Sequence, residues 1–270
     1  MKFQTKDGLQ LFCNNWEVAN PKAVIALVHG LGEHTMRYAH WAKMFNEKGY
    51  AVVGLDIRGH GQSEGKRGFV PYYDILLDDI EVFLGEIKKM YPTTSKVFLY
   101  GHSLGGGQVL NYSLRREHNL TGVIVTGSLI TLSFKPNPVM LFLGRLTLKI
   151  MPGFTQNNQV NTKALSRDMA VVTAYENDPL VNDSLSSALG IGSLEAGEFL
   201  NNYKGEIKTS TLLLHGSEDK LTNPEGTITF YNNTTGDRTL KIFPNLFHEI
   251  HNEPEKQEVF DVIFNWLENI

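Results

Sequence analysis

The chain has 270 residues, of which 41% are hydrophobic and 20% charged, and its formal net charge at pH 7 is −4. A chain of this length can bury a sizeable core, in one large α/β domain or two small ones, and its composition is that of an ordinary globular protein. The slightly acidic balance provides no basic field for nucleic acid and no polybasic patch for a membrane surface. A nucleic acid is therefore not expected as a partner.

Cysteine content and the first residues indicate the cellular setting. Cys13 is the only cysteine, which excludes an internal disulfide and a thiolate metal cluster. The first eight residues lack the apolar core of a signal peptide. A cytoplasmic protein is therefore the expectation.

The beginning of the chain alternates short apolar strands with helices. Residues 2–18 predict a hairpin whose two-residue turn is Asp7-Gly8. Residues 24–28 and 51–55 are continuous apolar runs, typical of strands buried on both faces. A helix over about residues 37–48 connects these two strands. This order is the beginning of a βαβ pattern.

The same alternation continues along most of the chain. Further predicted elements are helices over about 73–90, 108–117 and 255–268, and strands over 97–100, 122–126, 211–216 and 239–243. The pattern predicts a mostly parallel sheet with helices on both faces. Residues 128–206, rich in Asn, Ser and Gly, interrupt it and then return the chain to the same sheet. We interpret them as a cap inserted into a core formed by residues 1–127 and 207–270.

A Gly-x-Ser-x-Gly motif, residues 101–105, stands between a predicted strand and a predicted helix. In that context the motif indicates a nucleophile elbow, a strained turn that lifts the Ser103 hydroxyl above the edge of the sheet. Side chains at Gly101 and Gly105 would collide with neighbouring chain. Ser103 is therefore the predicted nucleophile.

A serine nucleophile needs a base to take its proton and an acid to orient that base. In an elbow hydrolase these follow in the order serine, acid, histidine, in loops after successive strands. Asp219 and His248 meet that requirement. Glu218 is the rival acid and His251 the rival base. Asp178, in the cap, is interpreted as a turn or helix-cap residue.

The tetrahedral intermediate also needs two N–H donors aimed at its oxyanion. The backbone of Leu104, the residue after the nucleophile, is the first. The glycine-rich loop at residues 29–32 supplies the second, which we assign to Leu31. This chemistry requires neither a metal nor an organic cofactor, so none is expected.

Motifs along nearly the whole chain resemble the monoacylglycerol lipase and lysophospholipase group of the α/β-hydrolase superfamily, the serine aminopeptidase S33-type hydrolases. The motifs that carry this resemblance lie at residues 29–34, 56–63, 101–106, 165–168, 175–180, 215–219 and 248–253. The resemblance implies an α/β-hydrolase fold with a mostly parallel eight-stranded sheet. It also implies that the cap roofs an apolar tunnel for an acyl chain.

The resemblance further implies a polar pocket for glycerol. Its residues map onto Glu33, Arg37, Tyr175 and His251, each matching in type. Buried glycerol hydroxyls need hydrogen-bond donors and acceptors, which these side chains provide. The alternative is that Glu33 and Arg37, four residues apart, only form a salt bridge at the start of a helix.

The resulting functional hypothesis is a serine hydrolase that cleaves the ester of a monoacylglycerol through an acyl-enzyme. The alternatives within the class are a lysophospholipase and a broad-specificity carboxylesterase. A peptidase is possible on this fold, but nothing in the cap suggests an anchor for a peptide amine. A non-catalytic ligand-binding protein is the alternative from another class.

Residues 138–152 have the highest apolar density of the cap. The segment is too short and too charged to span a bilayer. On a helix, Arg145 and Lys149 would share one narrow face, with apolar residues over most of the rest. Such a helix could touch a membrane surface transiently and collect lipid, which would make the protein peripheral at membranes, or it could simply pack over the tunnel.

Overall fold

A twisted eight-stranded sheet forms the centre of the computed structural model, which describes residues 1–151 and 153–270, without the side chain of Lys149. The strands are β1 (Lys2–Gln4), β2 (Gln10–Trp16), β3 (Ala23–Val28), β4 (Tyr50–Leu55), β5 (Val97–His102), β6 (Gly122–Thr126), β7 (Thr155–Asn157), β8 (Ser184–Ser186), β9 (Glu206–Gly216) and β10 (Thr235–Phe243). The helices are α1 (Ala39–Glu47), α2 (Ile75–Met90), α3 (Leu104–Arg115), α4 (Pro138–Ile150), α5 (Met169–Glu176), α6 (Ser187–Asn202), α7 (Pro224–Asn233) and α8 (Lys256–Glu268).

The strand order in the sheet is β1-β2-β4-β3-β5-β6-β9-β10. β3 to β6, β9 and β10 run parallel, while β2 is antiparallel to both β1 and β4. The chain leaves β3 for β4 on one side and then returns to β5 on the other side. In parallel sheets, such a reversal opens a crevice at the carboxyl ends of the strands, where ligands bind. The loops that follow β3 and β5 meet at that crevice.

Alternating residues of the central strands pack into two cores, one on each face of the sheet. Along β3, Val24, Ala26 and Val28 face the core under α2 and α3. Ala23, Ile25 and Leu27 face the other core, under α1 and α8. Because both faces are covered, the buried strands read as continuous apolar runs in the sequence.

Between Gly127 and Gly205, no described residue joins the main sheet. The segment contains α4, α5, α6 and a separate antiparallel pair, β7 with β8. Backbone hydrogen bonds attach it to the core, from Asn182 N to Gly32 O (2.9 Å) and from Ser186 N to Gly68 O (2.8 Å). The assignment of residues 128–206 as a cap on a core of 1–127 and 207–270 stays a prediction of the sequence.

Several local predictions need correction. β1 ends at Gln4 and β2 begins at Gln10, so five residues and not two separate the hairpin strands, with Gly8 at a φ of 89°. The predicted helix over 37–48 begins later, at α1, after a 3₁₀ turn over Thr35–Tyr38. The sequence reading also missed α7, although Asn223 caps it and Pro224 opens it. Pro152, the last residue of the predicted apolar segment, lies outside the described residues.

Candidate active site

Ser103 occupies the tight turn between β5 and α3. Its φ of 54° and ψ of −118° lie in a region that costs a non-glycine residue strain energy. The turn is fixed on both sides, because Ser103 N donates to Thr126 O (3.0 Å) and its carbonyl accepts from Leu129 N (2.9 Å). A Cβ on Gly105 would overlap the carbonyl oxygens of β3 and the loop after it. The absence of a side chain at Gly105 therefore lets the elbow pass this close to β3.

His248 and Asp219 form a short hydrogen bond in the loops after β10 and β9. His248 Nδ1–H donates to Asp219 Oδ2 over 2.6 Å, and both side chains are almost fully buried. Asp219 Oδ1 accepts from the backbone N–H groups of Leu221 (2.8 Å) and Thr222 (3.0 Å). These bonds hold the carboxylate still and aim the imidazole.

Burial and charge act in opposite directions on this pair. Burial alone would raise the pKa of Asp219, but the charge of His248 and hydrogen bonds from His215 and His248 hold it far below its usual range. Burial alone would lower the pKa of His248, but the Asp219 carboxylate raises it above 6.5. Because the carboxylate stays ionised, His248 is suited to gain and release a proton.

Ser103 and His248 line the same cavity of about 290 Å³, which supports the predicted pairing of nucleophile and base. The rival acid Glu218 is exposed. Asp178 lies in a turn as expected, since its Oδ1 accepts from Leu180 N (2.8 Å). It also bonds to His34 Nε2 over 2.9 Å, which connects the cap to the loop after β3.

The predicted oxyanion donors belong to residues that both line this cavity. Leu104 is the first residue of α3, so its N–H has no partner within the helix. Leu31 follows Gly30, and a Cβ on Gly30 would lie 3.1 Å from Ser103 Cβ. The glycine therefore lets the loop after β3 pass directly beside the nucleophile. The two donor assignments stay predictions.

Glu33 and Tyr175 line the cavity, whereas Arg37 is not among the described residues that do. Arg37 Nη1 bonds to Glu33 Oε2 (2.5 Å) and Glu249 Oε1 (2.6 Å), and Nη2 bonds to Glu249 Oε2 (2.7 Å). Its guanidinium lies 4.7 Å from the centre of the Tyr175 ring. The salt bridge between Glu33 and Arg37 that was considered as an alternative therefore exists. Arg37 contacts both Glu33 and Tyr175 without itself being among the described residues that line the cavity.

His251 also lies outside the described lining of the cavity. Its ring is fully buried, stacks on Tyr38 at 4.6 Å, and lies 4.8 Å from the His102 ring. Neither ring nitrogen has a hydrogen-bond partner among the described residues. Burial lowers the pKa of His251, so the ring is neutral. This position is unsuited to the rival base. The assignment of His251 to the glycerol pocket stays a prediction.

Three polar residues of the site were not singled out from the sequence. Glu249, next to the base, pairs with Arg37; Thr222 donates a hydrogen bond to Asp219 Oδ2 (2.8 Å); and His215 contacts the same oxygen (3.0 Å). For His215 a signal existed, because it is the penultimate residue of β9 and lies only four residues before Asp219. For the other two, the sequence contains no comparable pattern.

The remainder of the cavity is mainly apolar, and the cap supplies most of it. Its apolar lining includes Leu129, Leu132, Met140, Leu141, Leu189 and Ile191. Polar cap residues also reach it, and a Cβ on Gly32 would lie 3.1 Å from Tyr175 Oη and 3.2 Å from Asn158 Nδ2. Two donors therefore converge on the loop beside the nucleophile, at the edge of an apolar chamber.

A model of the family described as "Serine aminopeptidase, S33" matches residues 19–255. The chain belongs to this S33 family. The resemblance inferred from the motifs is therefore confirmed, and so is the α/β-hydrolase fold.

Individual S33 relatives match over most of this chain. The monoacylglycerol lipase of Mycolicibacterium smegmatis is 30% identical over 263 residues, covering 96% of this chain and 93% of that protein. The crystal structure of Paleococcus ferrophilus monoacylglycerol lipase has a TM-score of 0.87 and 33% identity, covering 95% of this chain and 98% of that one. An abhydrolase domain-containing protein of Dictyostelium discoideum is 36% identical over 267 residues, and the chain spans 28% of its length.

Proposed function

We propose that this protein is a serine hydrolase that cleaves the ester bond of monoacylglycerols to a fatty acid and glycerol. The observation that carries the proposal is one cavity lined by a strained serine, by the histidine of a buried histidine–aspartate pair, by an apolar chamber and by two polar groups beside the serine. The monoacylglycerol lipases that match nearly the whole chain support the same reaction.

In the proposed mechanism, Ser103 Oγ attacks the ester carbonyl while His248 takes the serine proton. The backbone N–H groups of Leu31 and Leu104 bind the oxyanion that develops. His248 then protonates the leaving glycerol oxygen and activates a water molecule that releases the fatty acid. Asp219 holds the imidazole with Nδ1 protonated and stabilises the imidazolium.

The charge of the polar end favours a neutral head group. Glu33 Oε1 accepts from Gly30 N and Tyr38 Oη, both at 2.7 Å, and Oε2 accepts from Arg37. The carboxylate is therefore already neutralised and hydrogen-bonded, so it offers little to a choline cation. Tyr175 Oη and Asn158 Nδ2 are neutral groups, and hydroxyls of glycerol match them. In this proposal Arg37 and His251 act on glycerol only by supporting Glu33 and Tyr38.

A panel of kcat/KM values tests the substrate. Monoacylglycerols should exceed lysophosphatidylcholines and simple p-nitrophenyl esters of the same acyl chain. Higher values for the lysophospholipids would identify a lysophospholipase, and no dependence on the head group would identify a broad carboxylesterase. No turnover of any ester, by a folded protein, would favour the non-catalytic binding protein.

Separate substitutions of the two histidines test the choice of base. His248→Gln should abolish turnover, because no other described imidazole lies both at Asp219 and in the cavity. His251→Gln should retain turnover. If His251→Gln lost all activity while His248→Gln kept it, the assignment would be wrong.

We also propose that the outer face of α4 touches lipid. Its inner residues Leu141 and Gly144 line the cavity, so the helix does roof it. Its outer residues are unusually exposed, with Phe142 67% and Ile150 68% accessible. The adjoining exposed apolar side chains are Phe134, Val139, Leu143, Leu146, Met151 and Phe154. A concentration of exposed apolar side chains along and beside one helix, with Arg145 exposed among them, is typical of contact with a lipid surface.

Co-sedimentation with phosphatidylcholine vesicles tests this contact. The double variant Phe142→Ser/Ile150→Ser should weaken vesicle binding. Tyr72→Ser, which removes an exposed aromatic side chain outside residues 128–206, should not weaken it. Unchanged binding of the double variant would disprove the lipid contact. Within the described residues, no helix has the length and apolar composition to cross a membrane. A cytoplasmic location stays a prediction from the sequence.

A further inference from the structure

His215 is a second histidine on the carboxylate of the predicted catalytic acid. It is the penultimate residue of β9 and fully buried. Its Nε2 lies 3.0 Å from Asp219 Oδ2, the same oxygen that accepts from His248 Nδ1 at 2.6 Å. The mechanism proposed above leaves this buried titratable group without a function.

The direction of this hydrogen bond follows from its partners. An ionised carboxylate only accepts, so His215 Nε2 carries the proton and donates it. With its single proton on Nε2, the ring presents a bare Nδ1 to Thr227 Oγ1, 2.8 Å away. Thr227 then donates to Nδ1, and its oxygen is free to accept from Ser128 Oγ, 3.2 Å away. The chain of donors therefore runs Ser128, Thr227, His215, Asp219.

Every member of this chain of hydrogen bonds is buried. Ser128 and Thr227 are each 1% exposed, and His215 is fully covered. Bulk water does not compete for these groups, so Thr227 can hold the His215 ring in one tautomer and orientation. The result is a fixed donor held between the sheet and α7.

We propose that His215 is a positioning residue for the hydrolytic reaction, which fixes Asp219 Oδ2 against His248 and lowers the proton affinity of the pair. The inference rests on the proposed function in so far as His248 is its base. A donor on Oδ2 withdraws negative charge from the carboxylate that stabilises the His248 imidazolium. His215 therefore keeps His248 unprotonated to a lower pH than Asp219 alone would allow.

Other charged and titratable groups also face His248, and the test must hold them constant. They lie on the loop after β3, on β5, and in the segment after β10, and comprise Glu33, His102, Glu249 and His251. Of these, none contacts His215 within hydrogen-bond distance. Substitution of His215 or Thr227 therefore changes the donor on Asp219 and leaves the other groups in place.

The experiment measures two quantities against pH for the full-length chain. One is kcat/KM for a p-nitrophenyl ester. The other is the rate of inactivation by a fluorophosphonate, which depends on the protonation state of His248 but not on the natural substrate. His215→Met removes the donor at similar volume, and His215→Gln restores an N–H. Thr227→Val removes the bond that fixes the tautomer. Phe230→Leu loosens the packing of the same helix, α7, without touching the hydrogen bonds.

For His215→Met, the acidic limb of the pH profile should move up by roughly 0.5–1 pH unit, because an Asp219 carboxylate that has lost one of its donors raises the pKa of His248 further. The plateau of kcat/KM should fall about ten-fold or more as Asp219 loses its fixed position. His215→Gln should recover most of both effects. Thr227→Val should shift the limb in the same direction by less, and Phe230→Leu should leave it unmoved.

An unmoved limb in His215→Met, or an equal shift in Phe230→Leu, would overturn the proposal and leave His215 a purely structural residue. If His215→Met does not fold, the limb of Thr227→Val decides by the same criterion. Failure of the proposed function is recognised separately. In that case the wild-type protein would hydrolyse the p-nitrophenyl ester but not monoacylglycerols, and the test of His215 would still stand.

Discussion

Arg37 offers a sharp test of how the site is supported. In the structure it is 9% exposed and lies between Glu33 and Glu249, whose side chains are 3% and 2% exposed. Arg37→Met keeps a side chain of similar length but removes the only cation that these two carboxylates bond to among the described residues. Two buried negative charges are then left close together.

The magnitude follows from that burial. Removing one partner of a buried ion pair costs about 3–5 kcal/mol, because the remaining charge stays out of water without compensation. For a chain of this size the loss corresponds to a decrease of roughly 10 °C in Tm. Glu249→Gln in the Arg37→Met background should recover part of it, with a coupling energy of about 1 kcal/mol or more.

The pH dependence of the loss provides an independent check. Burial would raise the pKa of Glu33, but the charges of Arg37, His102 and His29 lower it to about 2. In the wild type this carboxylate stabilises the fold above its unfolded pKa of 4.5, and the contribution disappears as pH falls through about 2. Without Arg37, burial dominates and the folded pKa rises. The difference in unfolding free energy between wild type and variant should therefore be largest at neutral and alkaline pH, and it should shrink as pH falls through the raised folded pKa of Glu33 in the variant.

Urea denaturation at pH 8 and pH 4.5 measures both effects, with Lys43→Met as a control because its ion pair with Glu47 is exposed. A loss below about 1 kcal/mol for Arg37→Met would refute the reasoning. Additive energies in the double-mutant cycle, or a loss that grows at acidic pH, would refute it as well.

Three further predictions concern the elbow and the base. Gly105→Ala should destabilise the fold strongly, since its Cβ would overlap backbone carbonyls. Gly85→Ala should instead stabilise the fold by about 0.5–1 kcal/mol, because a Cβ at that position of α2 meets no neighbouring atom. Equal effects of the two substitutions in urea denaturation would contradict this. The acidic limb of the wild-type pH profile of kcat/KM should have its midpoint above pH 6.5, because the raised pKa of His248 keeps the imidazole protonated to higher pH. A midpoint below pH 6 would contradict this prediction. Asp219→Asn should lower kcat about 10⁴-fold with little change in circular dichroism, and a loss under ten-fold would exclude it as the orienting acid.

The sequence predicted the features that follow from chain order and local geometry. Gly101, Ser103 and Gly105 specify the elbow because a turn this tight tolerates few side chains. Asp219 and His248 were predicted as acid and base because parallel strands bring the loops at their carboxyl ends together, and the structure places the two side chains in hydrogen-bond contact. These rules involve only neighbours in sequence or in strand order.

Features that depend on long-range packing could not be predicted in the same way. Arg37 matched a glycerol-binding residue in type, but the orientation of its side chain is set by an ion pair with Glu249, 212 residues away. The sequence pattern does not reveal that pairing. His251 was assigned to the polar pocket by its match in type, and the pattern did not reveal that its ring stacks on Tyr38. The hydrogen bond from His215 depends on the bend of the loop after β9, which brings residues four apart face to face.

The central claim is that Ser103 is the nucleophile that hydrolyses monoacylglycerols. The most direct measurement is the release of glycerol and fatty acid from a monoacylglycerol by the wild type and Ser103→Ala, with mass spectrometry of the residue that a fluorophosphonate labels. We expect equimolar products from the wild type, a loss of at least about 10³-fold in Ser103→Ala, and the label on Ser103 alone. Retained turnover by a folded Ser103→Ala protein, or a label on another residue, would contradict the account.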